Sequence, residues 1–272
     1  MATRLYIGDS SRTPAIVKVE EVAKTKFGAS ADTWIGEVDE NGILNSTTWT
    51  GSLNFAGVKT IGEWGLYFVF YNNIGITSVD LSSLQNVKNA GMANTFYYCT
   101  SLTSIDLSSL QSVEQGGMSQ CFCGCTGLTS IDLSSLQTVG NTGLDYTFMQ
   151  CQRITSVDLS SLQSVGRSGM SSTFYYCTSL TSIDLSSLQS VESYCLDNTF
   201  NGCTGLTTIS FPSLTNVVTK SFMALNGYNG MFVGCTNLTE IHFRADMQAT
   251  IEALTGYADK WGATNAIIYF DL

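Results

Sequence analysis

Three thiols crowd five residues of this chain, Cys121-x-Cys123-x-Cys125, and would fill most of a tetrahedral zinc site. A single histidine, His242, stands far along the sequence as the obvious imidazole. Five aspartates, Asp80, Asp106, Asp132, Asp158 and Asp184, recur at a constant step of 26 residues. A carboxylate row of that kind could gather a divalent cation, meet a basic partner or bind sugar hydroxyls.

Each chemistry meets an obstacle. Cys125 belongs to a second series, since Cys99, Cys125, Cys151, Cys177, Cys203 and Cys235 occupy one repeated position. One cysteine per turn reads as a buried, reduced ladder of small side chains rather than a disulfide framework. Cys121 stands where Thr95, Thr147, Thr173 and Thr199 stand in other copies, which leaves Cys123 as the expected exposed thiol and Cys195 on its own. A Ca²⁺ cage needs about six to eight oxygens around one ion, more than a single carboxylate row supplies. No G-x-S-x-G, phosphate loop or H-E-x-x-H occurs. Without a base there is no serine or cysteine triad. The row aspartates are too close and too alike to act as separate acid and base in glycoside hydrolysis. The expectation is a non-enzymatic chain with no catalytic residues, no metal and no cofactor.

The elements that position these residues are repeated. T-S-[VI]-D-L-S-S-L-Q-x-V starts at Thr77, Thr103, Thr129, Thr155 and Thr181. A fixed period of this size marks a solenoid, in which each repeat touches only its neighbours. Around Thr103, the residues Leu102, Ile105 and Leu107 alternate with Ser104 and Asp106, so a strand with one buried face is expected. Leu110 and Val113 begin a return segment, and Met118, Phe122 and Cys125 fill the climb to the next turn. Stepping back one period makes Gly51–Ile76 a degenerate first repeat, with Asn73 at the cysteine position. Stepping forward reaches Leu238, with a six-residue insertion around Lys220–Gly230.

The expected organisation is therefore a solenoid of seven turns over residues 51–238, between an N-terminal cap or attachment module over 1–50 and a C-terminal cap over 239–272. The first holds β-like runs at Leu5–Ile7 and Ala15–Val19, or a helix beginning at Ile16–Ala23. The second reads as a strand (Thr239–Phe243), a helix (Asp246–Leu254, Asp246 as N-cap and Gly256 as stop) and a strand (Ala266–Phe270).

A net charge of −10 argues against a nucleic-acid partner, which calls for a basic face, and against an anionic membrane surface. No apolar run approaches the ~20 residues of a membrane span. Met1–Tyr6 shows no basic stretch followed by an apolar one, so no secretory leader is visible. A cell-surface or virion location is expected, by a route without a leader or with a leader already removed, and a cytoplasmic location is the alternative.

The run Cys125-x-x-Leu128-x-x-Ile131-x-Leu133-x-x-Leu136-x-x-Val139, followed by Phe148 and Cys151, resembles the BspA-like leucine-rich repeats. The resemblance covers about residues 51–243. It departs from the family where Ser-Ser replaces the usual proline after the strand, except at Pro212, and where the later segment is longer. It implies a β-rich solenoid of the α/β horseshoe class, a right-handed superhelix with a parallel β-sheet. It also implies surface exposure in bacteria or protists and adhesion to proteins or host matrix. Arg4-Leu5-Tyr6-Ile7-Gly8-Asp9 resembles segments opening phage and prophage tail-associated proteins, which implies a receptor-binding or spacer role on a virion.

Two surfaces are candidates for a protein or cell-surface glycan partner. One is the strand face, where the five aspartates lie beside Ser78, Ser104, Ser130, Ser156 and Ser182, with Ser210 and His242 continuing the row. Carboxylates about 5 Å apart repel by roughly 0.8 kcal/mol even at the dielectric of water, so a copied aspartate needs a use or a tolerance. That face is the candidate for a carbohydrate- or cation-binding module. The other is the edge where the copies differ, rich in Tyr, Asn, Ser and Gly as contact loops are, with Tyr97, Tyr98, Tyr146, Tyr175, Tyr176 and Tyr194. A structural spacer is the third reading.

Overall fold

The computed structural model describes residues 16–18, 35–37, 51–55, 57–218, 220–222 and 230–272. Each repeat opens on a short strand whose alternate side chains are buried, as at Ser104–Asp106, where Ile105 points in and Ser104 and Asp106 point out. Nine such strands stack in parallel, from Gly51–Asn54 through Ile76–Asp80 to Glu240–Phe243 and Ile267–Phe270, hydrogen-bonded in three groups of three. The pairing register equals the sequence period: Val157 lies opposite Ile183 and Ile131, and Asp158 opposite Asp184 and Asp132. A second sheet of seven two-residue strands runs from Thr60–Ile61 to Asn216–Val217 and turns one valine or isoleucine per turn inward, all buried but Val217, which is half-buried.

The core is one continuous column. Leu81, Leu107, Leu133, Leu159 and Leu185 are buried, as are Leu84, Leu110, Leu136, Leu162 and Leu188. The phenylalanines Phe70, Phe96, Phe122, Phe148, Phe174, Phe200 and Phe232 form a file of parallel rings with centroids 5.4–5.9 Å apart. That spacing exceeds the roughly 4.8 Å between strands, because a ring is offset in its stack. Polar groups inside the column are satisfied. Thr95, Thr147, Thr173 and Thr199 each donate to a backbone carbonyl of the preceding turn at 2.8 Å. Asn73 accepts from the N–H groups of Gly75 and Ile76, which explains an amide where later turns carry cysteine.

The third side is a stack of turns. The N–H groups of Gly91, Ala93, Thr95 and Tyr97 donate to carbonyls three residues back. Those of Met92, Asn94, Phe96 and Tyr98 donate to Gly117, Ser119, Cys121 and Cys123 of the next turn. Every fourth residue is left-handed to allow this, as at Ala90, Asn94 and Tyr98 or Thr142, Tyr146 and Gln150. A left-handed non-glycine residue costs about 1–3 kcal/mol. Here the ladder of interturn bonds offsets that cost, since an unbonded buried N–H would be comparably expensive. The sequence period located these turns without revealing their left-handed pattern.

At the N-terminal side, Ile16–Lys18 pairs antiparallel with Ile35–Glu37, so residues 16–18 are strand, as the β-like run at Ala15–Val19 suggested, and not the start of a helix. The Leu5–Ile7 run and most of the insertion at 220–230 lie outside the described residues. At the other end, Ile267–Phe270 lies parallel to Glu240–Phe243 and lengthens the same sheet. The expected helix is shorter, a 3-10 turn at Ala245–Met247 followed by α-helix at Gln248–Glu252. Asp246 is not its cap. Its carboxylate is taken by the Arg244 guanidinium, Nη2 at 2.6 Å and Nε at 2.9 Å, a two-pronged charge-assisted contact. Met247, Ile251 and Leu254 are buried as their spacing requires. Gly256, at φ 87°, separates this helix from a further 3-10 segment at Tyr257–Gly262.

Candidate functional site

The aspartate row has a local cause. Oδ1 of Asp80, Asp106, Asp132, Asp158 and Asp184 accepts the N–H of the residue two positions on, Ser82, Ser108, Ser134, Ser160 and Ser186, at 2.8–3.0 Å. This is an Asx-turn, which closes the corner after each strand. Ser108 adds its hydroxyl to the same oxygen at 2.7 Å. One oxygen of each carboxylate is thus committed to the backbone. Asp106, Asp132, Asp158 and Asp184 are exposed, and Asp80 is half-buried. Between the first strands Ser78 donates to the Ser52 hydroxyl at 2.6 Å, and a shallow depression of about 420 Å³ runs past Asp80, Ser104 and Asp106.

The row ends on His242, opposite Ser210, with its ring stacked on Tyr269 at 4.9 Å. Its Nδ1 lies 2.9 Å from Asp271 and its Nε2 3.5 Å from Glu240. Burial pushes the imidazole down, but the hydrogen bonds and charges of Asp271 and Glu240 win and hold it above its ordinary value.

The turn stack presents the tyrosines. Tyr98 and Tyr176 are 37% and 46% exposed, and Tyr146 matches Tyr98. Tyr97 and Tyr175 are half-buried beneath them, each tilted against its neighbour at 4.7 Å. Tyr194 is apart, with the Lys220 ammonium 5.7 Å from its ring centre. Tyr97 stacks on Tyr71 at 4.8 Å, Tyr71 on Phe68 at 5.2 Å, Phe68 meets Tyr67, and Tyr67 meets Trp64 edge-on. The sequence reading missed Trp64, Tyr67, Phe68 and Tyr71. Its signal was available: stepping back one period from Ala90, Ala93, Asn94 and Tyr97 lands on these four aromatics.

The thiols are all free and buried. Cys123, expected to be the exposed one, is 3% exposed. Tyr97 hydrogen-bonds to it, and burial pushes its thiol up to about 11. Cys99, Cys125, Cys151, Cys177, Cys203 and Cys235 donate to phenylalanine carbonyls of the preceding turn at 3.0–3.2 Å. Burial raises Cys99 and Cys235 to about 12. Among the described residues no group of His, Cys, Asp or Glu is arranged to hold a metal ion, Cys121, Cys123 and Cys125 included. No helix among them is long and apolar enough to cross a membrane.

The profile of the BspA type Leucine rich repeat region, in six copies, matches residues 51–121, 93–227 and 145–254. Among solved structures, the T. pallidum leucine-rich repeat protein is 20% identical, with a TM-score of 0.48 over 80% of this chain and 85% of that one. Internalin C2 of Listeria monocytogenes is 14% identical, with a TM-score of 0.38 over 96% and 100%. A leucine-rich repeat protein of Bacteroides ovatus is 17% identical, with a TM-score of 0.31 over 71% and 63%. These likenesses concern the fold. No curated protein matches the chain.

Proposed function

Because the chain belongs to the BspA-type leucine-rich repeat family, we propose that it is a non-enzymatic binding protein that recognises a protein at a cell or matrix surface through its turn edge. One observation carries this reading. Ring contacts join Trp64, Tyr67, Phe68, Tyr71, Tyr97 and Tyr98 into one aromatic patch, of which Trp64, Phe68, Tyr71 and Tyr98 are more than a third exposed. Single exposed apolar side chains are ordinary on a protein surface, whereas a contiguous patch favours an interaction site. Tyrosine and tryptophan give large contact area at low entropic cost. The aspartate row supports binding less, because its use in all five turns is the corner hydrogen bond.

The test is surface plasmon resonance on immobilised extracellular-matrix proteins. The double tyrosine variant Tyr71→Ser/Tyr98→Ser is expected to lose capture, while Asp132→Asn/Asp158→Asn keeps it. The reverse pattern would move the site to the acidic face. Equal binding by both variants would favour a spacer.

A further inference from the structure

The turn stack also holds polar side chains that neither the core column nor the tyrosine patch uses. One repeat position carries Ala93, Ser119, Asp145, Ser171 and Asp197 in successive turns. Asp197 and Ser171 are buried, as are Ser172 and Asn201, and Asp145 is half-buried. The interturn ladder fixes their spacing: Tyr146 N–H donates to the Ser171 carbonyl at 2.9 Å, and Ser172 N–H to the Asp197 carbonyl at 2.7 Å. Two carboxylates thus stand two turns apart with one serine between them.

The two acids are held differently. The Asn198 amide donates to Asp197 Oδ1 at 2.5 Å, and Asn198 accepts in turn from Asn201 at 3.0 Å. Asp197 therefore has donors for its charged form. Asp145 has the Ser171 hydroxyl, and among the described residues no cation is among the groups that act on it. Burial pushes its carboxyl up to about 7, Ser171 lowers it in part, and the Asp197 charge raises it again. Ser119 holds the same repeat position in the turn before. Tyr146 adjoins it in sequence, and Tyr146, Tyr175 and Tyr176 form the neighbouring phenol group, with Tyr175 raised by burial and by those two rings.

We propose that Asp145, Ser171 and Asp197 form a proton-operated lock on the turns that carry Tyr146, Tyr175 and Tyr176. With a proton on Asp145, one hydroxyl and one carboxylate share the row without like-charge repulsion. When that proton leaves, a half-buried and a buried carboxylate stand on either side of Ser171. Water then enters to solvate them, and the interturn bonds at Tyr146 and Ser172 open more often. The lock would regulate the tyrosine edge, so its functional sense rests on the reading above, while its existence can be tested with no partner present.

The direction follows from linkage. A carboxyl raised on folding adds stability that is complete below its unfolded value of 3.8 and is lost as pH climbs through about 7. His242 is also raised and loses its contribution in the same direction, so a global melting curve would mix the two. A local measurement separates them. Hydrogen exchange of the full chain is compared at about pH 5.5 and about pH 8.5 as protection factors, which cancels the intrinsic base catalysis. Protection at Tyr146 and Ser172 N–H is expected to fall about tenfold or more. Protection at Phe96 N–H, which bonds to the Cys121 carbonyl in turns without these acids, should hold. Asp145→Asn should abolish the fall. Unchanged protection at Tyr146 and Ser172 in the wild type would overturn the lock, as would a fall that survives Asp145→Asn. If that variant does not fold, carbon-13 titration of aspartate carboxyls in the wild type decides: one midpoint near neutrality supports the lock, and midpoints all below about pH 5 overturn it. Loss of matrix binding by the tyrosine variant bears only on the proposed function and leaves this result untouched.

Discussion

The ring of Tyr98 lies on Gly124. A Cβ placed on Gly124 would come 2.8–3.0 Å from three consecutive ring atoms, Cδ2, Cε2 and Cγ. Near-equal distances to neighbouring atoms mean that the glycine meets the face of the ring and not its rim. Beyond the glycine the Tyr98 hydroxyl reaches Gln150 Oε1 at 3.1 Å, so one side chain spans three turns. Tyr176 repeats the arrangement over Gly202, with ring atoms 3.1–3.3 Å from the missing Cβ. The place of an exposed tyrosine is thus set by the absence of a side chain one turn later.

Gly124→Ala should therefore destabilise the chain by about 1–3 kcal/mol, since it adds a Cβ under a ring and forces alanine to φ +72°. Urea denaturation measures it. In a Tyr98→Ala background the steric part should vanish and only the backbone part remain, a coupling that a double-mutant cycle reads directly.

Replacing an aspartate of the row separates charge from hydrogen bonding. Asp132→Asn keeps an oxygen for the Ser134 N–H and should change stability little. Asp132→Ala removes the acceptor and should cost about 0.5–1.5 kcal/mol. Equal effects of the two in thermal unfolding would mean that the corner does not depend on the side chain.

Phe148→Ala opens the ring file at its centre, between Phe122 and Phe174, and should cost about 3–5 kcal/mol. In a quasi-one-dimensional fold each repeat leans on its neighbours, so unfolding of this variant should split into two steps by circular dichroism.

Thiol reactivity should be uniformly slow in the native state. With Cys123 raised to about 11 and Cys99 to about 12, Ellman's reagent at neutral pH should label no cysteine of 99–235 before unfolding. Rapid labelling of Cys123 would contradict its placement beside Tyr97.

At the last turns, the sign for His242 runs with protonation. Its raised value adds stability that is complete below about 6.5 and fades as pH rises through the folded value. His242→Gln should flatten that part of the profile and loosen the contact to Asp271 at 2.9 Å. The effect should be small, since Glu240 and Asp271 are exposed.

The core was legible in the sequence because burial imposes a period. Val157, Leu159, Leu162, Phe174 and Cys177 recur where a side chain must point inward, and their register is the 26-residue step. The aspartate row was legible as a row but not as a corner, because an Asx-turn depends on where the following serine N–H points. Cys123 was misread because a surface position in one turn becomes a buried one when Tyr97 packs beside it.

The sequence by itself determined the repeating strand and the inward side chains, since both are periodic properties of a single chain. Only the tertiary structure decided which varied residues meet. Tyr98 with Gly124, Tyr71 with Tyr97, and Asp145 with Ser171 are one turn apart, and stacking turns a separation of 26 residues into direct neighbourhood. Contact across turns depends on side-chain size, left-handed backbone and burial at each level, none of which a period records.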